Sequence, residues 1–463
     1  MVVVAAVAAV AFASCGSDES TAPSTSADTT GADTTGSDTT GAGGSTTQSQ
    51  TSTTVAPGDE AIVVRDGRPT CAYRAHELIA VDDRAVELAD RLGVPVDVVN
   101  AGGVLSTPAD PLGLSVYRVG GTIDPVDAAG RLAVVAPELQ ATPNYIAAFA
   151  PGWKYAPFDT PVGPIADHVV PPAISDASAS IVVLDTGFTA VAPTEVDPPA
   201  PEAEVEVQNQ TPVGDVVEGA AAFHGSFIVY LLGQLVPKAV LTPLAVEPRY
   251  PSDDALVRAD ETLVSSVRDD ATVTGALLSM LADPPDYLNL SFGSYGCSSI
   301  DTKPREKIAD VPDHLTPIGL RRALEMLSNT TGPLGRIPQV FAAGGNDFHA
   351  PTDRELFFPA AWAPEFDWLH SVASDPKDGF DYSNRGPWVE TQARGTRVVS
   401  VLPDGTQWGE AGWYAWSGTS FATPCALAHH TTGEDGTYVE HASNAAGPFL
   451  ECGLNRQADP PTR

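Results

Sequence analysis

The chain has 463 residues, enough for two or three domains and a large core. Lys and Arg number 25 against 59 Asp and Glu, a formal net charge of −34 at pH 7. That balance argues against nucleic acid as a partner, because phosphate contacts need basic patches; it fits a solvated acidic surface, with a preference for cationic substrates as the alternative.

The opening MVVVAAVAAVAFAS is apolar but too short to span a bilayer, and Cys15 follows it. Residues 1–15 resemble the end of a bacterial lipoprotein signal, with FASC as the lipobox and Cys15 as the acylated residue. Phe12 stands where leucine is usual and no basic residue precedes the apolar run, so an ordinary secretory signal is the alternative. The resemblance implies a bacterial protein, exported and either lipid-anchored at the cell surface or secreted, that meets a membrane only through its lipid. Residues 16–57 lack almost all large apolar side chains, and DTTGA, DTTGS and DTTGA repeat from Asp28. With no core to bury, this segment is expected to be a disordered Ser/Thr/Gly linker with a root-mean-square reach of about 35 Å.

Residues 58–150 change pattern. HELIAV and LSVYRV read as strands, DDRAVELADRL and DPVDAAGRLA as helices, and QATPNYIAAF closes the set. This alternation predicts a small α+β domain of ferredoxin-like type.

From residue 175 to 463 the pattern is α/β. ASIVVLDTGF predicts a buried parallel strand that presents Asp185 at its C-terminal end. An acidic, proline-rich insertion with Glu195, Asp197, Glu202, Glu204 and Glu206 reads as a solvated loop, with substrate contact or calcium as alternatives. In FHGSFIVYLLGQL the apolar residues share one face at helical spacing, which puts His224 at the start of an amphipathic helix. KAVLTPLAV reads as a strand, about Asp260 to Leu281 as a long helix, and YLNLSF as a strand. PIGLRRALEMLSN is the next helix, and IPQVFAAGG and RVVSVLP are later strands. SGTSFATP predicts a helix start that exposes the Ser420 hydroxyl among small residues, with Pro424 in the first turn. Strands alternating with helices imply a mostly parallel sheet covered on both faces, its chemistry gathered at one end.

A serine hydroxyl needs a base and an orienting carboxylate to become a nucleophile, and Asp, His, Ser is the chain order of the subtilisin triad. LDTG, HGS, NLSFGS, VFAAGGND, SNRGPW and SGTSFATP also occur in one order, and the chain here resembles the subtilisin-like serine peptidases. The resemblance implies a three-layer α/β catalytic domain preceded by a propeptide. Asp185 would orient the base, His224 act as base and then acid, and Ser420 attack the scissile carbonyl. Asn346 would be the oxyanion donor, although AAGGN has one glycine more than the usual AAGN. Ser291, Phe292 and Gly293 would line the first specificity pocket. The partners implied are protein or peptide substrates and the protein's own pro-domain, an intramolecular inhibitor until cut between about Tyr145 and Pro172; an unrelated accessory domain is the alternative for residues 58–150. The chemistry requires no cofactor, and no EF-hand-type loop supports the structural calcium common in the family.

Two features depart from the family. Val229 and Tyr230 replace small residues after HGSF, which predicts altered packing beneath His224, and after CALA the nucleophile helix gives way at once to HHTTGEDG. Cysteines 71, 297, 425 and 452 allow three pairings, and Cys71 bridged to the catalytic region would hold the two parts together after a cut. The alternatives to an endopeptidase are an inactive lipoprotein that keeps the groove to bind peptides and a structural wall protein.

Overall fold

The computed structural model describes residues 62–64, 71–99, 111–148, 163–165, 172–189, 204–205, 223–246, 257–259, 262–264, 267–297, 308, 311–346, 356–375, 382–403, 410–433 and 449–450. All of them lie within one compact unit spanning Ser49–Arg463.

The first elements are β1 (Ile62–Val64), β2 (Ala72–Val81), α1 (Ala85–Leu92), β3 (Val96–Val98), β4 (Leu114–Val119), α2 (Pro125–Val135) and β5 (Thr142–Ala148). From β2 to β5 the order is βαββαβ, and the strands pair antiparallel in the spatial order β5-β2-β4-β3, the ferredoxin-like arrangement. Local chemistry sets the helix ends. Asp124 accepts the Val126 N–H at 2.8 Å ahead of Pro125, and Gly93, at φ 74°, closes α1 in the left-handed conformation. Leu78, Tyr117, Leu88 and Leu132 form the core between this sheet and its two helices. The opposite sheet face carries Ile79, Leu114 and Val116, which pack on Ala271 and Ile318 further along the chain.

The remaining elements are β6 (Ser180–Asp185), β7 (Glu204–Val205), α3 (His224–Leu235), β8 (Val240–Ala245), a hairpin of β9 (Val257–Ala259) and β10 (Thr262–Val264), β11 (Val267–Asp269), α4 (Asp270–Ser279), β12 (Tyr287–Leu290), α5 (Ile318–Leu327), β13 (Gln339–Ala343), β14 (Leu369–Ser374), β15 (Thr391–Ala393), β16 (Val398–Leu402), β17 (Gly412–Trp416), α6 (Thr419–His430) and β18 (Phe449–Leu450). Eight strands form one parallel sheet in the order β18-β15-β14-β13-β12-β6-β8-β7. β6 and β12 lie in the interior of this sheet and are buried, β6 apolar from Ile181 to Leu184 and β12 apolar but for Asn289. α3 and α6 share the core on one face, and α4 and α5 share the core on the other. The result is a three-layer α/β fold with a parallel sheet between two helical layers.

Two expectations need correction. Every residue of α3 is buried, so the helix is enclosed rather than amphipathic. The Tyr230 ring packs 5.5 Å from that of Phe188. RVVSVLP is a strand as expected, β16, which stands apart from the parallel sheet and pairs antiparallel with β17. The helix expected from Asp260 begins only at Asp270. Val267–Asp269 is instead strand, paired antiparallel with Ile146–Ala148 of β5, and the Asp269 side chain caps α4 by accepting the Thr272 N–H at 3.1 Å. α6 does end at His430, as its sequence implies, with Thr419 to Ala428 buried.

The N-terminal sheet is joined to the rest by more than apolar contact. Cys71 and Cys297 form a disulfide across 226 residues of chain, which settles one pairing; Cys425 is also oxidised, and Cys452 lies outside the described residues. Arg74 Nε donates to Asp269 Oδ2 at 3.0 Å, both side chains at most 1 % exposed. Asn144 bridges the two parts, donating to Glu77 at 2.8 Å and accepting the Ala271 N–H at 3.2 Å. Asp270 is enclosed below this seam. It accepts the Gly319 and Leu320 N–H groups at 3.0 and 2.7 Å, serving the start of α5, where Pro317 has no capping side chain. Burial pushes its carboxyl up to about 7, against the opposing pull of these hydrogen bonds.

Candidate active site

β6 places Asp185 at the C-terminal edge of the parallel sheet with 1 % exposure, where an ionised carboxylate needs donors. Thr186 supplies two: its N–H lies 2.7 Å and its hydroxyl 3.1 Å from Oδ1. The third is His224, the first residue of α3, whose Nδ1 lies 2.9 and 3.0 Å from the two carboxylate oxygens. An ionised carboxylate only accepts, so Nδ1 carries the proton and Nε2 is left with the basic lone pair.

Gly225 makes this approach feasible. A Cβ there would sit 2.3 Å from the Gly187 carbonyl oxygen and 3.2 Å from Asp185 Oδ1, and the Gly225 N–H is held by Thr186 Oγ1 at 3.2 Å. The imidazole packs between the edge of Trp416, at 5.6 Å, and Phe421, at 5.4 Å. Phe421 is the residue after Ser420, so the helix that bears Ser420 touches the His224 ring.

Ser420 is the second residue of α6 and 5 % exposed. Its hydroxyl donates to the Ser291 carbonyl at 2.9 Å, and no hydrogen bond joins it to His224, whose Nε2 is buried without a partner. Pro424 lies six residues into α6 rather than in the first turn. A proline at that place cannot donate to the carbonyl four residues back, which is that of Ser420. The Ser291 hydroxyl fills the gap, donating to the Ser420 carbonyl at 2.8 Å, and Asn289 Nδ2 donates to Ser291 Oγ at 2.9 Å. The strand end after β12 and the start of α6 are therefore locked together by two reciprocal serine contacts.

Asn346 follows β13 across the glycine pair 344–345. Its Oδ1 accepts the Thr419 N–H at 2.8 Å and the Thr419 hydroxyl at 3.0 Å. Because the backbone N–H can only donate, the amide oxygen must face Thr419, and Nδ2 is left to point past Gly418, where a Cβ would lie 3.5 Å from it. Of Ser291, Phe292 and Gly293, the first contacts Ser420, Phe292 is 1 % exposed, and Gly293 lies against Phe357.

The structure thus joins Asp185 to His224, and Ser420 to Ser291 and, through Thr419, to Asn346. Cys15 and the insertion residues Glu195, Asp197, Glu202 and Glu206 lie outside the described residues, while Glu204 begins β7. Among the described residues no three His, Cys, Asp or Glu side chains gather as a metal site. Thr186, Thr419 and Trp416 were not singled out by the sequence. The two threonines could have been, since each adjoins the acid or the nucleophile within its motif; Trp416 has no such signal.

No protein-family model matches the chain, and no curated protein matches it. Solved structures similar to it include a lanthipeptide protease, 19 % identical over 55 % of this chain and 72 % of that one, with a TM-score of 0.36. Fervidolysin from Fervidobacterium pennivorans, a keratinolytic enzyme related to subtilisin, is 16 % identical over 80 % of this chain and 55 % of its own, with a TM-score of 0.45. A cold adapted subtilisin-like serine proteinase is 15 % identical over 59 % of this chain and 88 % of its own, with a TM-score of 0.35.

Proposed function

We propose that the chain is a serine endopeptidase that hydrolyses peptide bonds of proteins through an acyl-enzyme on Ser420. The observation that carries this reading is the buried Asp185–His224 pair, held by two contacts at 2.9 and 3.0 Å with Nε2 left unpartnered beside the helix that bears Ser420. In the first step the Ser420 hydroxyl leaves the Ser291 carbonyl, gives its proton to His224 Nε2 and bonds to the scissile carbonyl carbon. Asp185 stabilises the imidazolium that forms, and His224 returns the proton to the departing amine. Water then repeats the sequence on the ester, freeing the acid and Ser420. The developing oxyanion is met by Asn346 Nδ2 and by the Ser420 N–H, which lies in the first turn of α6 and has no intrahelical acceptor. His224 and Ser420 are 0 % and 5 % exposed, so a polypeptide reaches them only once the site opens.

Residues 58–150 act as the pro-domain in this reading. Tyr145 to Ala148 belong to β5, which makes residues 149–172 the better interval for maturation cleavage. A cut there leaves the halves joined through Cys71–Cys297, so a lipid on Cys15 would retain the catalytic part at the surface of an exporting bacterium. Hydrolysis of a denatured protein substrate tests the reading: Ser420→Ala and His224→Ala should each lower kcat on the order of 10⁵-fold or more. Equal turnover by wild type and Ser420→Ala would exclude it.

A further inference from the structure

The ground beside the nucleophile is already occupied. With the scissile carbonyl at Ser420 Oγ and its oxygen toward Asn346 Nδ2, the side chain of the acyl residue must leave from the adjacent carbon. On the family resemblance it enters the pocket lined by Ser291, Phe292 and Gly293, near the segment running from Gly344 to Asn346. The ring of Phe357 stands between these two segments. A Cβ on Gly293 would lie 2.3 Å from Phe357 Cε1 and 2.6 Å from Cζ, and a Cβ on Gly345 would lie 3.1 Å from Phe357 Cγ. The ring has neighbours on its flanks as well. The Tyr295 ring is 4.7 Å from it between centroids, and Asn384 Nδ2 donates to Tyr295 Oη at 3.0 Å; both groups crowd the Gly345 Cβ position, at 2.9 and 2.3 Å.

The base of this ring is also fixed. Phe358, the next residue, exchanges two backbone hydrogen bonds with Ser294, at 2.8 and 2.7 Å, in an isolated antiparallel bridge one residue beyond Gly293. Phe357 is 7 % exposed and belongs to the same core as Tyr295, Phe358 and Trp362. Swinging the ring out would open a void in that core, which close packing disfavours.

From this geometry we infer that Phe357 sets the substrate class of the site: it fills the space for the acyl residue's side chain, so the enzyme cleaves after Gly, Ala or Ser and discriminates against large side chains. This inference rests on the serine peptidase reading above. An apolar pocket distinguishes side chains by the volume it can accept, at roughly tenfold or more per misfitting group.

A quenched peptide series varied only at the residue before the cut tests it, with fluorophosphonate labelling run in parallel on each protein. Wild type should show a kcat/KM at least tenfold higher after Ala than after Leu, Met or Phe. Phe357→Ala should reverse that order, and Phe357→Leu, which keeps an apolar core residue, should move partway if Phe357→Ala does not fold. Labelled wild type that cleaves after Leu or Phe as fast as after Ala overturns the inference alone. So does a labelled variant with an unchanged profile. A folded wild type that takes no label overturns the peptidase reading and this inference with it.

Discussion

At the scale of single residues, the site depends on groups that hold the catalytic side chains as much as on those side chains themselves. Gly225 is one: any side chain there meets the Gly187 carbonyl at 2.3 Å, and backbone cannot yield as a flexible side chain can. Gly225→Ala should therefore pull α3 away from β6 and lower kcat by at least tenfold, with a parallel fall in melting temperature. Ser291 is another. Removing its hydroxyl leaves the Ser420 carbonyl without the donor that Pro424 fails to provide, a buried acceptor worth about 1–3 kcal/mol. Ser291→Ala should show that loss as a lower urea midpoint; an unchanged midpoint would mean water replaces the hydroxyl. On the proposed mechanism, Asn346→Ala should lower kcat about 10²–10³-fold with little change in KM, because Nδ2 would meet charge that exists only in the transition state.

At the scale of elements, β6 and the start of α6 are the parts of the site whose local sequence points to what is observed: SIVVLD is a short apolar run that reads as a buried strand, and the small residues of SGTSFATP suit a helix packed among its neighbours. Where the outcome depends on distant partners, the sequence misleads. Val267–Asp269 reads as helix until β5 is present to pair with it, and α3 reads as amphipathic until α6 and β16 enclose its outer face. Pro424 suits a first turn by local rules, yet its consequence, a freed Ser420 carbonyl, appears only with Ser291 in place. Asp270 at the start of α4 gives a measurable counterpart. Its carboxyl titrates near 3.8 when exposed and near 7 when buried, so the folded state holds the proton more tightly. Its contribution to stability is full below about pH 4, falls as pH rises toward 7 and is flat beyond, a span of at most about 4 kcal/mol. Thermal unfolding between pH 4.5 and 7.5 should show this decline in the difference between wild type and Asp270→Asn; a pH-independent difference would count against it.

At the scale of the whole molecule, the N-terminal α+β sheet and the parallel-sheet region are joined covalently by Cys71–Cys297 and electrostatically by the buried Arg74–Asp269 pair. Four cysteines cannot reveal that link in sequence, because their spacing leaves the pairings equivalent. Closing 226 residues of chain is worth about 5 kcal/mol in the chain-entropy model. On the proposed pro-domain reading, the cut protein should migrate as one band without reductant and as two with it, and a Cys71→Ser, Cys297→Ser double variant should give two bands in both. The reaction assigned to the chain depends finally on one hydroxyl. Fluorophosphonate treatment followed by peptide mass analysis addresses it directly. Wild type should gain one phosphonyl group on Ser420, and Ser420→Ala should gain none. A folded wild type that stays unmodified, or carries the label on another serine, would contradict it.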